Sequence, residues 1–341
     1  MFTNANQWPL EHWHIEVSSK CSLQCPRCTR QEVPNGLVNT DLRLDWFEQN
    51  FSDIIPQVKK ITFCGDDGDP IYCRDFLEIC EWIKSKNPNC QIVMITNGSY
   101  KTEEWWTKLS RTLNEKDHIH FSIDGHHSSN VEYRVNADWD SIMMGIATLN
   151  KENCRAFKTW ATIAFKFNIN SLDFMRWMAR DKKFDYFQLT RSSKFGSNYE
   201  AYPKDDPLEP ESEYVSQGRF TRSIEHLSDR EWQDSCIDTF TDRYQTQQAV
   251  NGIQPLCSVG NKGLYINSQG KFYPCCWTGL RYEHNRNVFD YIDQNNKKLT
   301  EVLDDPNWIK LSDSFEDNTC PQECKEKCSA NKWNLEHATS W

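Results

Sequence analysis

The stretch HWHIEVSSKCSLQCPRC, residues 12–28, decides how the rest of the chain is interpreted. Its first seven residues are rich in aromatic and β-branched side chains and predict a strand. Three cysteines follow in a short loop with the spacing C-x3-C-x2-C, namely Cys21, Cys25 and Cys28. Three thiolates this close together are typical of iron–sulfur ligation, whereas a structural zinc site needs a fourth protein ligand nearby. The nearby histidines lie inside the predicted strand.

Outward from this stretch, strand-like and helix-like runs alternate through the first half of the chain. Strands are predicted at residues 12–18, 59–64, 91–96, 118–123, 157–165 and 185–190. Helices, with apolar residues at helical spacing, are predicted at residues 42–51, 75–86, 102–113, 139–151 and 171–181. Six β units with five intervening helices favour an α/β fold with a parallel sheet, which binds ligands at the carboxyl ends of its strands.

Composition and charge exclude several classes of protein. The 341 residues contain 14 Trp, 18 Phe and 12 Tyr, too many aromatic residues for a chain that is disordered throughout. The formal net charge of -10 argues against a protein that binds duplex nucleic acid. No stretch approaches the length of a membrane span, and the first residues lack the pattern of a signal peptide. We therefore expect a cytoplasmic protein without membrane contacts.

Fifteen cysteines are an unusual number for such a chain. In a reducing compartment, clustered cysteines usually bind metal. Beside the loop at residues 21–28, a second group lies near the C-terminus: Cys257, Cys275, Cys276, Cys320, Cys324 and Cys328. The other six are scattered, and of these Cys80 lies on an apolar helical stripe and is predicted to be a core residue.

The alternation of strands and helices stops after the sixth strand. Residues 203–217 are acidic and proline-rich, which predicts a linker or surface excursion, and residues 228–249 look helical. The predicted domains are therefore a core at 1–202, an acidic linker and helix at 203–254, and a cysteine-rich domain at 255–341. In the last domain, GLYINSQGKFYPC predicts a β-hairpin that brings Cys275 close to Cys257.

The spacing C-x3-C-x2-C after the first strand of a βα protein resembles the radical SAM superfamily. In that family three cysteines hold a [4Fe–4S] cluster whose open iron binds the amino and carboxylate groups of S-adenosylmethionine (SAM). The resemblance implies that Cys21, Cys25 and Cys28 hold such a cluster. It also implies a partial (β/α)6 TIM-like barrel and an enzyme that cleaves SAM reductively to a 5′-deoxyadenosyl radical.

Further short motifs at predicted strand ends agree with the resemblance and suggest residues that bind SAM. The turn CGDDGDP, residues 64–70, looks like the Gly-Gly-Glu-Pro motif of the family, with Gly68, Asp69 and Pro70 at the best-matching positions. Glycine allows close backbone approach, and a carboxylate suits an ammonium group. The remaining matches are Asn97, Ser122, Asp124 and Arg134.

Within these matches, Ser122 and Asp124 occupy positions that often reach the ribose hydroxyls in the family. Arg134 suits bidentate pairing with the SAM carboxylate, although a plain surface arginine is the alternative. One residue departs from the family pattern. Many members have an aromatic residue just before the third cysteine, where this chain has Arg27, so that adenine packing must come partly from elsewhere.

The C-terminal pattern C-x12-G-x4-C resembles the opening of the SPASM and twitch extensions of radical SAM enzymes. The resemblance implies one auxiliary [4Fe–4S] cluster held by thiolates from Cys257, Cys275, Cys320, Cys324 and Cys328. Two auxiliary clusters or a zinc site are the alternatives, because only six cysteines lie here and C-x3-C-x3-C also suits zinc. Cys276 is interpreted as a packed thiol.

The function implied by the resemblance is hydrogen-atom abstraction from a substrate, followed by oxidation with the auxiliary cluster as electron acceptor. Family frequency favours a peptide or protein side chain as substrate. A small-molecule dehydrogenase of the amino-sugar type is the runner-up, because no room precedes the core for a peptide-recognition domain. A flavodoxin or ferredoxin is the expected electron donor. The alternative from another class is a non-catalytic binding protein stabilised by zinc.

Overall fold

The computed structural model describes residues 10–31, 38–65, 68–192, 195, 206–215, 222–233, 251–253, 264–276, 299, 301 and 306–328. The chain divides into two compact units. Unit 1 comprises Met1–Lys20, Val38–Ile92 and Asp234–Trp341, and unit 2 comprises Cys21–Leu37 and Val93–Gln233. Among the described residues, no helix has the length and apolar character that crossing a membrane requires.

Unit 1 contains strands from both ends of the chain. Its strands are β1 (His12–Ile15), β2 (Lys60–Phe63), β8 (Leu264–Ile266) and β9 (Phe272–Tyr273). β1 pairs in parallel with β2 on one side and with β8 on the other, and β9 pairs antiparallel with β8. The described helices of this unit are α1 (Leu44–Phe51), α2 (Phe76–Lys86), α7 (Pro306–Glu316) and α8 (Gln322–Lys327).

Unit 2 is a sheet with the strand order β7-β6-β5-β4-β3. Its strands are β3 (Gln91–Thr96, of which residues 93–96 belong to this unit), β4 (His118–Ser122), β5 (Phe157–Ile163), β6 (Tyr186–Thr190) and β7 (Arg222–His226). β3 to β6 run parallel, and β7 is antiparallel to β6. The connecting helices are α3 (Glu103–Thr112), α4 (Asn130–Tyr133), α5 (Trp139–Lys151) and α6 (Leu172–Asp181).

Strand β1 shows why these sequences form a sheet that is buried on both faces. Trp13 and Ile15 point to one face and are fully buried, and the Trp13 ring lies edge-on to Phe51 of α1 at 5.1 Å between ring centroids. His12 and His14 point to the other face, because side chains alternate along a strand, and they are 3% and 2% exposed. Buried polar residues on the second face therefore mark the side of β1 that does not serve as the apolar core.

Two helix starts show the capping that the sequence encodes. The hydroxyl of Thr102 accepts a hydrogen bond from the backbone N–H of Trp105 at 3.3 Å, and the carboxylate of Asp138 accepts one from the N–H of Ser141 at 3.1 Å. Such side-chain caps satisfy backbone donors that the first helical turn leaves unpaired. They fix α3 and α5 within a residue of their predicted starts.

The predicted α/β class is confirmed, with all six predicted strands and all five predicted helices in place and a hairpin in the C-terminal region. β7, α4, α7 and α8 were not predicted. Residues 228–233, the start of the predicted helix at 228–249, are not helical, and residues 234–249 lie outside the described part of the chain. Part of the predicted linker, residues 206–215, belongs to unit 2 and makes backbone hydrogen bonds to other segments of that unit, including one in which the Lys166 N–H donates to the Leu208 carbonyl at 3.2 Å.

Candidate active site

The cysteine loop, residues 21–28, belongs to unit 2 and has a fixed internal geometry. The backbone N–H of Cys28 donates to the carbonyl of Cys25 at 3.1 Å, which closes a turn between the second and third cysteines. The sulfur of Cys21 accepts from the backbone N–H of Leu23 at 3.4 Å and from the side-chain amide of Asn97 at 3.6 Å. N–H donors directed at a sulfur stabilise its thiolate form, the form that binds metal.

The apolar surroundings of the loop hold the three thiols on one side of unit 2. Cys25 is buried with four other side chains, and Cys21 and Cys28 pack against the same group, which is Leu23, Tyr133, Phe165 and Phe195. Burial raises the pKa of the Cys25 thiol, and the nearby Arg134 guanidinium opposes that rise. The site therefore combines a dry environment with one compensating positive charge.

Arg134 and Asp124, both predicted to contact SAM, contact each other. Arg134 Nε donates to Asp124 Oδ2 at 2.6 Å, and the two side chains are 15% and 0% exposed. Burial by itself would lower the pKa of Arg134, but the Asp124 carboxylate and the Cys25 sulfur outweigh burial and keep that pKa above its ordinary value. Burial raises the pKa of Asp124, and Arg134 opposes that rise, so each side chain favours the charged form of the other.

The other polar groups of Asp124 are also satisfied within unit 2. Its Oδ1 accepts from the backbone N–H of Ile163 at 2.7 Å, and its carbonyl accepts from the Asn168 side-chain amide at 2.7 Å. Its N–H donates to Asn130 at 2.9 Å. Ser122 is half-buried two residues earlier at the end of β4. These contacts join the ends of β4 and β5 to the loop that carries Arg134.

The turn at Gly68, Asp69 and Pro70 belongs to unit 1 and follows β2. Asp69 is 5% exposed, and its carboxylate accepts from the N–H of Ile71 at 3.1 Å, where it caps a short 3-10 helix that begins at Pro70. At Gly68 a Cβ atom would lie 2.0 Å from the carbonyl oxygen of Ser18, so no side chain fits without moving the turn. This close approach explains a glycine at this position.

Glu16 is a buried residue of this site that the sequence analysis missed. It is 0% exposed, and its two carboxylate oxygens accept from the N–H of Gly68 at 3.1 Å and from the hydroxyl of Tyr265 at 2.8 Å. Glu16 therefore links the predicted SAM turn to the hairpin strand β8. A charged residue inside a predicted strand was the available signal, because glutamate is almost never fully buried unless it is paired.

The three thiols of the cysteine loop have surroundings that suit an iron–sulfur cluster. Among the described residues, no three His, Cys, Asp or Glu side chains are close enough together to hold one metal ion. A cluster makes a different demand, because each cysteine binds a different iron and the sulfurs lie farther apart. The loop supplies three thiolate ligands, N–H donors toward sulfur and an apolar wall, which together fit that demand.

The described C-terminal cysteines lie on two elements of unit 1. Cys275 and Cys276 follow β9 after Pro274, and Cys276 packs against Tyr265 and Tyr273, in agreement with its interpretation as a packed thiol. Cys320, Cys324 and Cys328 lie before, within and at the end of α8.

Cys324 and Cys328 are four residues apart and so share one side of α8. The N–H of Cys328 donates to the carbonyl of Cys324 at 2.8 Å, which continues the helical pattern to the last cysteine. Burial raises the pKa of the Cys320 thiol, and Lys325 opposes that rise. Cys257 lies outside the described residues.

The predicted hairpin is present and is held by its turn. The Asn267 side chain accepts from the N–H groups of Gln269 and Lys271 at 3.0 and 2.9 Å, and Gly270 adopts a φ of 76°. A positive φ favours glycine at that position. The hairpin thereby carries Cys275 and Cys276 at the end of its second strand.

Two family models match the parts of the chain that carry the cysteines. A 4Fe–4S single cluster domain matches residues 14–141, and the SPASM iron–sulfur cluster-binding domain matches residues 257–329. Both matches agree with the resemblance to radical SAM enzymes that carry a SPASM-type extension. Both matching families are iron–sulfur cluster-binding domains, as the spacing of the cysteines predicts.

Solved structures of radical SAM proteins share the fold at low sequence identity. Native anSMEcpe with bound AdoMet and a Cp18Cys peptide is 17% identical, covers 96% of this chain and 87% of its own, and gives a TM-score of 0.52. Streptococcus suis SuiB bound to the precursor peptide SuiA is 15% identical, covers 89% of this chain and 67% of its own, and gives a TM-score of 0.56. The likeness confirms the predicted fold class.

One curated relative matches part of the chain. The tungsten-containing aldehyde ferredoxin oxidoreductase cofactor-modifying protein of Pyrococcus furiosus is 26% identical over 117 residues, which are 34% of this chain and 31% of the relative. The chain therefore matches about a third of the length of that relative.

Proposed function

We propose that the chain is a radical SAM enzyme that cleaves SAM reductively and abstracts a hydrogen atom from a peptide or protein side chain. The observation that carries the proposal is the cysteine loop, whose three thiols pack against one buried core while N–H donors face the Cys21 sulfur. When bound there, a [4Fe–4S] cluster supplies the electron that cleaves SAM, and the resulting 5′-deoxyadenosyl radical takes the hydrogen atom.

The residues around the loop have distinct proposed tasks. Cys21, Cys25 and Cys28 hold the first cluster. Asn97 and Arg134 stabilise thiolates, since Asn97 donates to the Cys21 sulfur and the Arg134 charge opposes the rise that burial causes in the pKa of Cys25. Each task stabilises negative charge that would otherwise be costly in a buried site.

A second set of residues is proposed to bind SAM. The Gly68–Pro70 turn offers a backbone without a side chain in the way and a carboxylate for the ammonium group, and Ser122 lies at the end of β4 for the ribose. Asp124 and Arg134 are already paired with each other, so we propose that Arg134 meets the SAM carboxylate while Asp124 holds the guanidinium in place.

The C-terminal cysteines are proposed to hold one auxiliary [4Fe–4S] cluster that accepts the electron released by the substrate radical. Its four ligands are proposed to come from Cys257, Cys275, Cys320, Cys324 and Cys328. Four thiolates leave no open iron, which suits a cluster that carries electrons. A flavodoxin or ferredoxin is the proposed donor of the electron for the first cluster.

A peptide substrate is supported by the similar proteins whose structures contain peptides, anSMEcpe and SuiB. Fold likeness does not transfer a substrate by itself. A small-molecule dehydrogenase therefore remains the second candidate. The two are separated by incubating reconstituted enzyme with candidate precursor peptides and with amino sugars, and by measuring a mass loss in either.

The reaction itself is tested by replacing Cys21, Cys25 and Cys28 with alanine in one variant. We expect the reconstituted variant to form no 5′-deoxyadenosine from SAM and dithionite, measured by chromatography and mass spectrometry. Cys154→Ala is the matched control, because Cys154 is half-buried and lies outside both cysteine groups. Undiminished 5′-deoxyadenosine formation in the triple variant would exclude these ligands. Zinc in place of iron and sulfide after reconstitution would favour a binding protein.

A further inference from the structure

Arg27 lies inside the cysteine loop, which belongs to unit 2, and its side chain is buried within that unit. Its side chain is 2% exposed and is one of the largest fully buried side chains in the described part of the chain. The guanidinium forms an ion pair with Asp206, and its central carbon lies 4.5 Å from the centroid of the Phe195 ring. Arginine combines a fixed array of donors with a flat face that stacks on aromatic rings, and Arg27 uses both here.

The segment that carries Asp206, residues 206–215, is fixed to the same side of unit 2 and is called the strap below. The Asp206 side chain accepts from the N–H of Leu208 at 2.8 Å, which orders the start of the strap. At its other end the N–H of Ser192 donates to Tyr214 at 3.1 Å, and Ser192 and Val215 form a β-bridge. The strap is thus attached at both ends by backbone hydrogen bonds.

The strap also contacts the core on which the thiols pack. Leu208 and Val215 pack against the buried group that contains Cys25, together with the half-buried Cys21 and Cys28. Although the acidic composition of this segment predicted a linker, two of its apolar side chains pack on the core around the cysteine loop. Within the described part of the chain, the cation that pairs with Asp206 is Arg27 of the cysteine loop.

We propose that Arg27 and Asp206 lock the strap onto the cysteine loop, and that this lock controls how firmly the first iron–sulfur cluster is retained. A buried ion pair adds little net stability but fixes geometry, and loss of one partner leaves the other charge buried. Arg27 is therefore a positioning residue for the loop. The inference rests on the proposed function in one respect, that the loop holds a cluster.

The test measures the rate at which reconstituted enzyme releases iron to a chelator under anaerobic conditions. In the variant whose three loop cysteines are alanine, only the auxiliary site can hold and release iron. Its release curve therefore identifies the auxiliary phase in the curve of the wild-type enzyme. Asp206→Asn and Arg27→Met should each speed release from the loop about tenfold or more, as expected when one charge-assisted hydrogen bond is lost. Glu115→Gln, which removes an exposed ion pair with Arg155, should not change the rate.

A double-mutant cycle distinguishes a lock from general loosening. If the two residues act through each other, the variant carrying both substitutions should release iron no faster than the faster single variant. Circular dichroism and the thermal midpoint of each apo variant exclude a failure to fold. Arg27→Lys, which keeps the charge, should retain the cluster better than Arg27→Met.

Two results overturn the lock. One is release from both single variants at the wild-type rate, and the other is single effects that multiply in the double variant. A different result contradicts the proposed function as well. If wild-type enzyme holds no more iron than the triple alanine variant, the loop holds no cluster.

Discussion

The buried pair of Asp124 and Arg134 gives the sharpest test of how the site is built. Asp124→Asn keeps an oxygen for the N–H of Ile163, which now lies 2.7 Å from Oδ1, and changes the side chain by one atom. The other oxygen, 2.6 Å from Arg134 Nε, is replaced by an amide donor. The guanidinium, 15% exposed, then loses its carboxylate and faces a second donor.

The expected cost is large because the charge stays buried. Removing one partner of a buried ion pair typically destabilises a protein by about 3–5 kcal/mol. For a unit of this size, each kcal/mol lowers the thermal midpoint by about 2–4 °C, so we expect a fall of about 6–20 °C. The loss should appear in iron-free protein without SAM, because the pair is internal to unit 2.

The assay is urea unfolding of reduced, iron-free protein, followed by tryptophan fluorescence. Trp160 is a suitable probe because it is fully buried and donates to the carbonyl of Ile123 at 3.1 Å, one residue before Asp124. Arg134→Met combined with Asp124→Asn should be less destabilised than the sum of the two single variants. Glu103→Gln, at an exposed ion pair with Lys151, is the control. If Asp124→Asn lies within about 1 kcal/mol of wild type, the buried-charge reasoning is wrong.

Three further predictions concern unit 1. Gly68→Ala should weaken SAM binding at least about tenfold by calorimetry, because its Cβ would lie 2.0 Å from the carbonyl oxygen of Ser18. Burial raises the pKa of Cys73 from 9.0 to about 12, so the stability that the neutral thiol contributes is complete below pH 9.0 and is lost as the pH rises toward 12. The free energy of unfolding in urea should therefore fall less between about pH 8 and pH 10 for Cys73→Val than for wild type. Replacing Cys257 and Cys275 with alanine should lower iron from about eight to about four per chain while SAM cleavage persists, and an unchanged iron count would contradict the auxiliary site.

Local patterns predicted most of the fold because the strands and helices involved have strong periodicity. β7 was missed because most of its residues are half-buried or exposed, so Arg222–His226 carries no apolar run to detect. The hairpin around Gly270 was predicted, since alternation and turn residues are both local signals.

The cysteine loop can be proposed from spacing alone, whereas contacts between residues far apart in the chain cannot. Three cysteines within eight residues can be recognised from their order. The pairing of Arg27 with Asp206 joins positions 179 residues apart, and that of Glu16 with Tyr265 joins positions 249 residues apart. Such pairs are set by which strands become neighbours, and a single sequence does not encode that choice locally.

The parallel pairing of β1 with β8 has a consequence for the order in which the chain folds. Residues 13–15 leave the ribosome early, and their partners at 264–266 follow some 250 residues later. Until then one edge of β1 has unpaired backbone groups, and the strand itself carries the apolar side chains of Trp13 and Ile15. Such an edge can pair with strands of other chains. Closing so long a loop is slow, and a nascent chain that stalls before residue 264 should therefore be a substrate for chaperones and prone to aggregate.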